Sequence, residues 1–317
     1  MFGFTKNNTC PIGVDAGNDS LRLAQLDSNG TTLIAGNSKA TPEDIQPGSS
    51  EWQKWAIKTI RVLATYGSFQ GKEVIAAMPT GELFVDHMKR PKAKTNDLHD
   101  VIFSKIKQRL PFESLRENTI LQYVLTEEDN VLVMAIERRV VERHLAIYEK
   151  AGLSTKSIGV WPTALTNSYV KFFGRRECDF KTVMMLICIE ADCTNVVVCR
   201  HKDLLLARSM PTGFNQLDDE QASTRLVMEL SACKRQFSLL YQNARIERLI
   251  FLSGQFVNKD VCAAIAKQLE MPAQMGDCLS AVKIARSCRM GRKEKESGTG
   301  SQDSRLNWTV PFGLSLS

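Results

Sequence analysis

One order of elements is legible twice in this chain: three strands, a helix, then a strand. In the first copy Ile12-Gly-Val-Asp15 is an apolar strand. It meets the turn Ala16-Gly17-Asn18-Asp19 and returns as Ser20 to Leu26, the mark of a hairpin. Asp27-Ser-Asn-Gly30 is a second turn, and Thr31 to Ala35 a third strand. A helix capped by Ser49 or Ser50 follows, with Trp52, Trp55, Ala56, Ile60 and Leu63 on one face, and then the strand Glu73 to Met78, closed by Pro79. In the second copy the strands are Val183 to Ile189, Asn195 to Cys199 and Asp203 to Ser209. A long helix spans about Ser223 to Gln242, Leu249 to Leu252 is a strand, and Asn258 caps a helix ending near Leu269. Mixed strands and helices in a repeated order predict a duplicated α/β architecture. With 317 residues, 43% of them hydrophobic, the chain can bury the cores of two such units.

Between the copies, residues 79–137 read as a small inserted unit. Leu83 to Met88 is strand-like, and Thr95 or Asn96 opens a helix carrying Leu98, Ile102, Ile106 and Leu110. Ile120 to Leu125 and Val131 to Ile136 flank the polar turn Glu127 to Asn130. A helix from Arg138 to Ala151 ends at Gly152, Ser157 to Val160 is a strand, and Pro162 starts a helix ending near Phe173-Gly174. The polar stretch Arg175 to Asp179 is the expected boundary, giving lobes of residues 1–174 and 175–317. Arg286 to Asn307 is poor in apolar residues and reads as a mobile loop, after which Trp308 to Leu316 docks back onto the body.

Several function classes recede on composition. A net charge of +6, from 41 basic and 35 acidic residues, permits an anionic surface but does not call for nucleic acid. No apolar run reaches the roughly 20 residues that cross a bilayer. Met1 to Asn8 has no apolar stretch, so no secretory signal is expected. Nine cysteines, an odd number without a C-x-x-C pair, read as reduced thiols of a cytosolic protein. A zinc site from Cys188, Cys193 and Cys199 is disfavoured by their spacing. His87, His99, His144 and His201 are scattered and form no nucleophilic arrangement.

The segment Asp15-Ala-Gly17-Asn18-Asp19-Ser20-Leu-Arg22 holds the candidate chemistry. A hairpin tip exposes backbone N–H groups that hold phosphate oxygens, and Gly17 permits close approach. Asp15 is placed to hold Mg²⁺ through water, and Arg22 to meet a phosphate or a carboxylate. An ordinary hairpin with a solvated arginine is the plainer alternative.

In context this segment resembles the first phosphate motif of the actin, Hsp70 and sugar-kinase superfamily, and more narrowly the opening of the PilM family of type IV pilus assembly proteins. The resemblance continues in order through Met78-Pro79, Val85 to Pro91, Lys107-Gln-Arg-Leu-Pro111, Gln122 to Leu125, Tyr148 to Leu153, Pro162 to Leu165, Leu249 to Gln255 and Pro311 to Leu316. It implies an actin-like, ribonuclease H-like duplicated two-lobed fold with a small inserted 1C subdomain at about 79–137. Gly213 leads almost directly into the long helix, so the 2B subdomain is expected to be reduced or absent. The resemblance assigns nucleotide contacts to Asp15, Gly17, Asn18, Asp19, Ser20, Arg22, Gly213 and Gly254, with ATP and Mg²⁺ (on Asp15) as the ancestral ligands. Glu229 and Lys234 fall near the nucleotide pocket on the same basis.

The second phosphate motif departs from the family. Where D-x-G is usual, this chain reads Cys188-Ile189-Glu190, with Asp192 two residues on. A carboxylate beside phosphate costs about 1–4 kcal/mol near a surface. The resemblance therefore implies a degenerate site on a cytoplasmic scaffold at the inner face of the inner membrane. As a scaffold it would bind the N-terminal tail of a PilN-like protein between subdomains 1A and 1C, with a homo-oligomer compatible. No residue qualifies as catalytic. The alternative is an ATPase or small-molecule kinase of the same superfamily. A third reading, the cytoplasmic domain of type II secretion platforms, ranks lower because that protein continues into a transmembrane helix.

Overall fold

A computed structural model describes residues 8–254, 257–288, 290 and 306–317. The first strands are β1 (Ile12–Ala16), β2 (Ser20–Leu26) and β3 (Thr32–Ala40). Helix α1 (Ser50–Tyr66) starts at Ser49, whose hydroxyl accepts from the Trp52 N–H, and leads to β4 (Glu73–Ala77). β5 (Phe84–Lys89), α2 (Leu98–Ile106), β6 (Thr119–Thr126) and β7 (Asn130–Glu137) form the inserted unit. α3 (Arg138–Lys150), β8 (Ser154–Gly159) and α4 (Trp161–Phe172) follow, β8 starting three residues before the expected strand.

The second copy is β9 (Val183–Ile189), β10 (Thr194–Arg200), β11 (Asp203–Met210), α5 (Glu220–Leu240) and β12 (Arg248–Phe251). α5 begins earlier than its apolar stripe, because the Asp219 side chain caps it. The chain closes with α6 (Lys259–Gln268), β13 (Ala273–Met275), β14 (Lys283–Ile284) and α7 (Thr309–Ser315).

The duplication is real at the level of topology. One sheet has the order β14-β3-β2-β1-β4-β8 and the other β11-β10-β9-β12-β13. In each, an antiparallel triplet continues into two parallel strands on the far side of its first strand. β1 and β9 are buried along their whole length, which is why they read as continuous apolar runs rather than alternating ones.

Three large cores, among smaller ones, hold the layers together. Trp52, Ala56, Ile60 and Leu63 of α1 pack with Ile147 and Tyr148 of α3 on one face of the first sheet. α5 and α6 cover the outer face of the second sheet through Leu226, Leu230, Phe237 and Ile265. Between the sheets lies a shared core of Ile75, Ala77, Trp161, Leu165, Leu186, Ile250 and Leu314, joined by Leu132 of the insert. Nine residues (211–219) separate β11 from α5, and they hold only a single turn of 3-10 helix. The space of a 2B subdomain is thus unfilled among the described residues.

The end of the chain returns to the first sheet. β14 pairs with β3, and α7 packs on β1, β2 and α4. The approach is close enough that a Cβ on Gly13 would collide with the Pro311 carbonyl, and one on Gly313 with the Ala164 carbonyl. Of the expected mobile loop at 286–307, residues 289 and 291–305 lie outside the described residues. At its end the expectation is corrected: Asn307 is buried, 2% exposed, and its side chain accepts from the Thr309 N–H. It reads as loop because its partners are remote in sequence. No helix among the described residues is long and apolar enough to cross a membrane.

Candidate functional site

The two hairpins β1–β2 and β9–β10 point their turns at each other across the gap between the sheets. In the first, Asp15 stands opposite Arg22 in the antiparallel register. Arg22 is 3% exposed, and its guanidinium lies 3.0 Å from Asp15 Oδ2 and 3.7 Å from Asp19 Oδ1. Of the two partners expected for Arg22, it meets carboxylates. Gly17 makes this possible, since a Cβ there would sit 3.0 Å from Asp19 Oδ1 and 3.2 Å from Arg22 Nη2.

Arg22 also crosses to the second hairpin. Its Nη1 donates to Glu190 Oε2 at 3.1 Å and to the Asn307 carbonyl at 2.9 Å. Asn307 Nδ2 donates to Glu190 Oε1 at 3.1 Å and approaches Cys188 Sγ at 3.1 Å, and that thiol donates to Glu190 Oε1 at 3.3 Å. A second, neutral tie runs from Asn195 Nδ2 to Thr80 Oγ1 at 3.2 Å. The residues that depart from the D-x-G pattern, Cys188 and Glu190, are therefore bonded into a network that joins the two sheets.

Burial sets the charge of this network. It pushes the Glu190 carboxyl up to about 7, with Arg22 pulling down and Asp19 and Asp15 pushing up. Burial also raises Asp15, again against the pull of Arg22, and lifts the Cys188 thiol well above its usual range. One guanidinium faces three carboxylates, so the cluster carries no excess positive charge for a polyphosphate.

A cavity of about 50 Å³ remains, lined by Asp15, Asp19, Thr80, Trp161, Glu190 and Asn195 among others. At roughly 10–15 Å³ per water that is space for a few waters, whereas pockets for small molecules run to about 300–1,000 Å³. Asn18 lines the same cavity, as do Gly17 and Asp192. Ser20 is buried and adjoins the turn.

The other glycines tied to nucleotide are elsewhere. Gly213 packs beneath the second turn, where a Cβ would clash with Cys193 N and Ala191 O, and Gly254 has φ 60 beside Asp277. Neither lines the cavity. Lys234 donates to the Leu269 carbonyl at 3.1 Å, a link between α5 and the end of α6. Asn307 is the residue that sequence reasoning missed. Its one signal is an Asn just ahead of an apolar helical run.

A second concavity, of about 450 Å³, lies on the insert between α2 and β6, lined by His99, Phe103, Arg116, Ile120 and Leu121 among others and reaching Arg138 at the start of α3. Beside it Ile120, Val141 and Ile158 lie half-buried over Met78, Ile136 and Val140. β6 is the outer strand of the three-stranded sheet, whose order is β5-β7-β6.

No family model matches the sequence, and no curated protein matches it. Solved structures do match. A PilM–PilN type IV pilus biogenesis complex superposes with TM-score 0.77 at 18% identity, covering 96% of this chain and 97% of that one. The ethanolamine utilization protein EutJ from Carboxydothermus hydrogenoformans matches at TM-score 0.53 and 12% identity over 97% of this chain and 89% of that one. The cytoplasmic domain of EpsL, an inner-membrane component of the Vibrio cholerae type II secretion system, matches at 0.50 and 10%, over 86% and 88%. The chain has the actin-like fold, in the form that PilM shares over nearly its whole length.

Proposed function

We propose that this chain is an actin-like scaffold of a type IV pilus or related secretion platform, docking the N-terminal tail of a PilN-like inner-membrane protein. The observation that carries the reading is the match to the PilM–PilN complex over nearly all of both chains, insert included. The apolar seam between the insert and the first sheet, with the concavity of the insert beside it, supports it. The edge of β6, unpaired among the described residues, offers main-chain hydrogen bonds to an extended segment, and the apolar seam of Ile120, Val141 and Ile158 offers pockets for alternate side chains. Such a scaffold sits at the cytoplasmic face of the inner membrane through its partner, dividing near residue 174 into two lobes, and is free to self-associate.

In this reading Asp15, Gly17, Asn18, Asp19, Ser20 and Arg22 are a retained phosphate hairpin whose arginine has been turned inward. The site is degenerate for ATP and Mg²⁺ because Glu190 claims that arginine. A tail peptide of the cognate PilN-like protein is expected to bind in calorimetry at micromolar concentration, and Ile120→Glu to weaken it at least ten-fold. No binding at high micromolar concentration would sink the proposal.

The second reading, an ATPase or kinase, is favoured only by the intact first hairpin. It requires two phosphate hairpins and a carboxylate poised toward water or a hydroxyl. Asp15 is the candidate, and it is held by Arg22.

A further inference from the structure

The inserted unit touches more than the first sheet. The tip of its β6–β7 hairpin, Glu127 to Asn130, reaches the C-terminal end of α5 on the second sheet's outer face. The Glu128 carboxylate accepts the N–H groups of Gln242 at 2.7 Å and Asn243 at 2.9 Å. The last carbonyl of α5, that of Leu240, accepts from Asn130 Nδ2 at 2.8 Å and Lys89 Nζ at 3.2 Å. These are groups that a helix end leaves without partners of its own. The Tyr241 hydroxyl donates to the Leu205 carbonyl at 2.7 Å and so accepts from the Thr126 hydroxyl, also at 2.7 Å. Arg200 pairs with Glu127.

Further along, His87 Nε2 accepts from the Ala207 N–H of β11 at 3.1 Å. Burial, aided by Arg208, lowers that imidazole to about 4, so it is neutral and able to accept. Leu132 of β7 enters the core shared by both sheets. Glu128 and Asp129 are both held at φ 53. That pair of left-handed residues is what a tight hairpin turn closed by the Asn130 N–H on the Glu127 carbonyl requires.

We propose that the insert is an inter-lobe clamp. In a hinged two-lobed fold, a ligand bound in the cleft draws the lobes together. Here the hairpin tip ties the second lobe to the first from one side, and the Arg22–Glu190–Asn307 network ties them in the cleft. Closure is thus built from the chain's own residues and needs no ligand.

The test is backbone hydrogen exchange on the full chain, comparing the wild type with Glu128→Ala/Arg200→Ala and with Arg200→Ala alone. Both sites lie at the surface end of the contact, outside the three cores. With the clamp removed, the amides of 17–20 and 190–193 are expected to exchange about ten-fold faster, while those of α1 and β4 keep their rates. The single variant should show a smaller change in the same segments. Faster exchange confined to 240–243 would overturn the proposal, since the hairpin tip would then be a helix cap and nothing more. A uniform acceleration across the chain would overturn it too, because it would mean general stabilisation rather than control of the cleft.

Discussion

At the scale of single residues, Glu190 decides how the cleft behaves. Its carboxyl rises from an ordinary 4.5 to about 7 because burial outweighs the attraction of Arg22. A carboxylate with a raised pKa in the folded state binds its proton more tightly folded than unfolded. The contribution of Glu190 to stability is therefore greatest below about 4.5, falls as pH climbs toward 7, and levels off above it. For one such group the loss is about 3 kcal/mol. Glu190→Gln removes the titration while keeping the shape. Urea midpoints measured from pH 5 to pH 8 are expected to shift in favour of the variant as pH rises. Parallel curves for the two proteins would refute this. Buried ion pairs rarely add net stability, but they specify which groups meet. Here the pair selects a closed cleft.

At the scale of elements, the decisive piece is α7. Its residues Val310, Phe312 and Leu314 enter two different cores, and its passage over β1 and α4 leaves no room for side chains at Gly13 or Gly313. Gly313→Ala forces its methyl onto backbone atoms of Ala164, which cannot rotate away. A loss of about 1–3 kcal/mol is expected, as for overpacking in general, with a fall in Tm of several degrees. An unchanged melting temperature would show that α7 docks more loosely than this geometry requires. The elements themselves were largely legible. Ser49 or Ser50 was read as the cap of α1 and Ser49 caps it, Gly152 was read as the left-handed stop of α3 and has φ 86, and Asn258 was read as the cap of α6 and caps it. β14 was not legible, because a two-residue strand of Lys283 and Ile284 carries no period of its own and exists only through β3.

At the scale of the whole molecule, two copies of one sheet topology face each other over a shared apolar core, and the space left between the two hairpin turns is about 50 Å³. A protein that binds Mg·ATP at 10 μM would gain about 2.7 kcal/mol from 1 mM ligand. For this chain no thermal shift is expected at 1 mM Mg·ATP. A rise of several degrees, abolished by Asp15→Ala, would instead mean that the lobes open and close on phosphate. The same shift should not appear in a protein whose arginine at the first hairpin is committed to Glu190.

The amino-acid sequence by itself determined the period and order of the elements, and so the duplicated α/β class, the insert at about 79–137 and the shortness of the link into α5. These follow from local quantities: which positions are apolar, where a cap or turn residue stands, and how many residues lie between. It also marked Cys188 and Glu190 as departures from a phosphate-binding pattern. What those departures do was decided only by tertiary structure. Arg22, Glu190 and Asn307 are separated by 168 and 117 residues along the chain and meet because two hairpins on different sheets are brought face to face. The sign of the Glu190 shift depends on burial that no window of sequence contains. The contact of the Glu127 to Asn130 tip with the end of α5 is of the same kind. Each partner reads as an ordinary polar turn, and only packing of the two lobes makes them one joint.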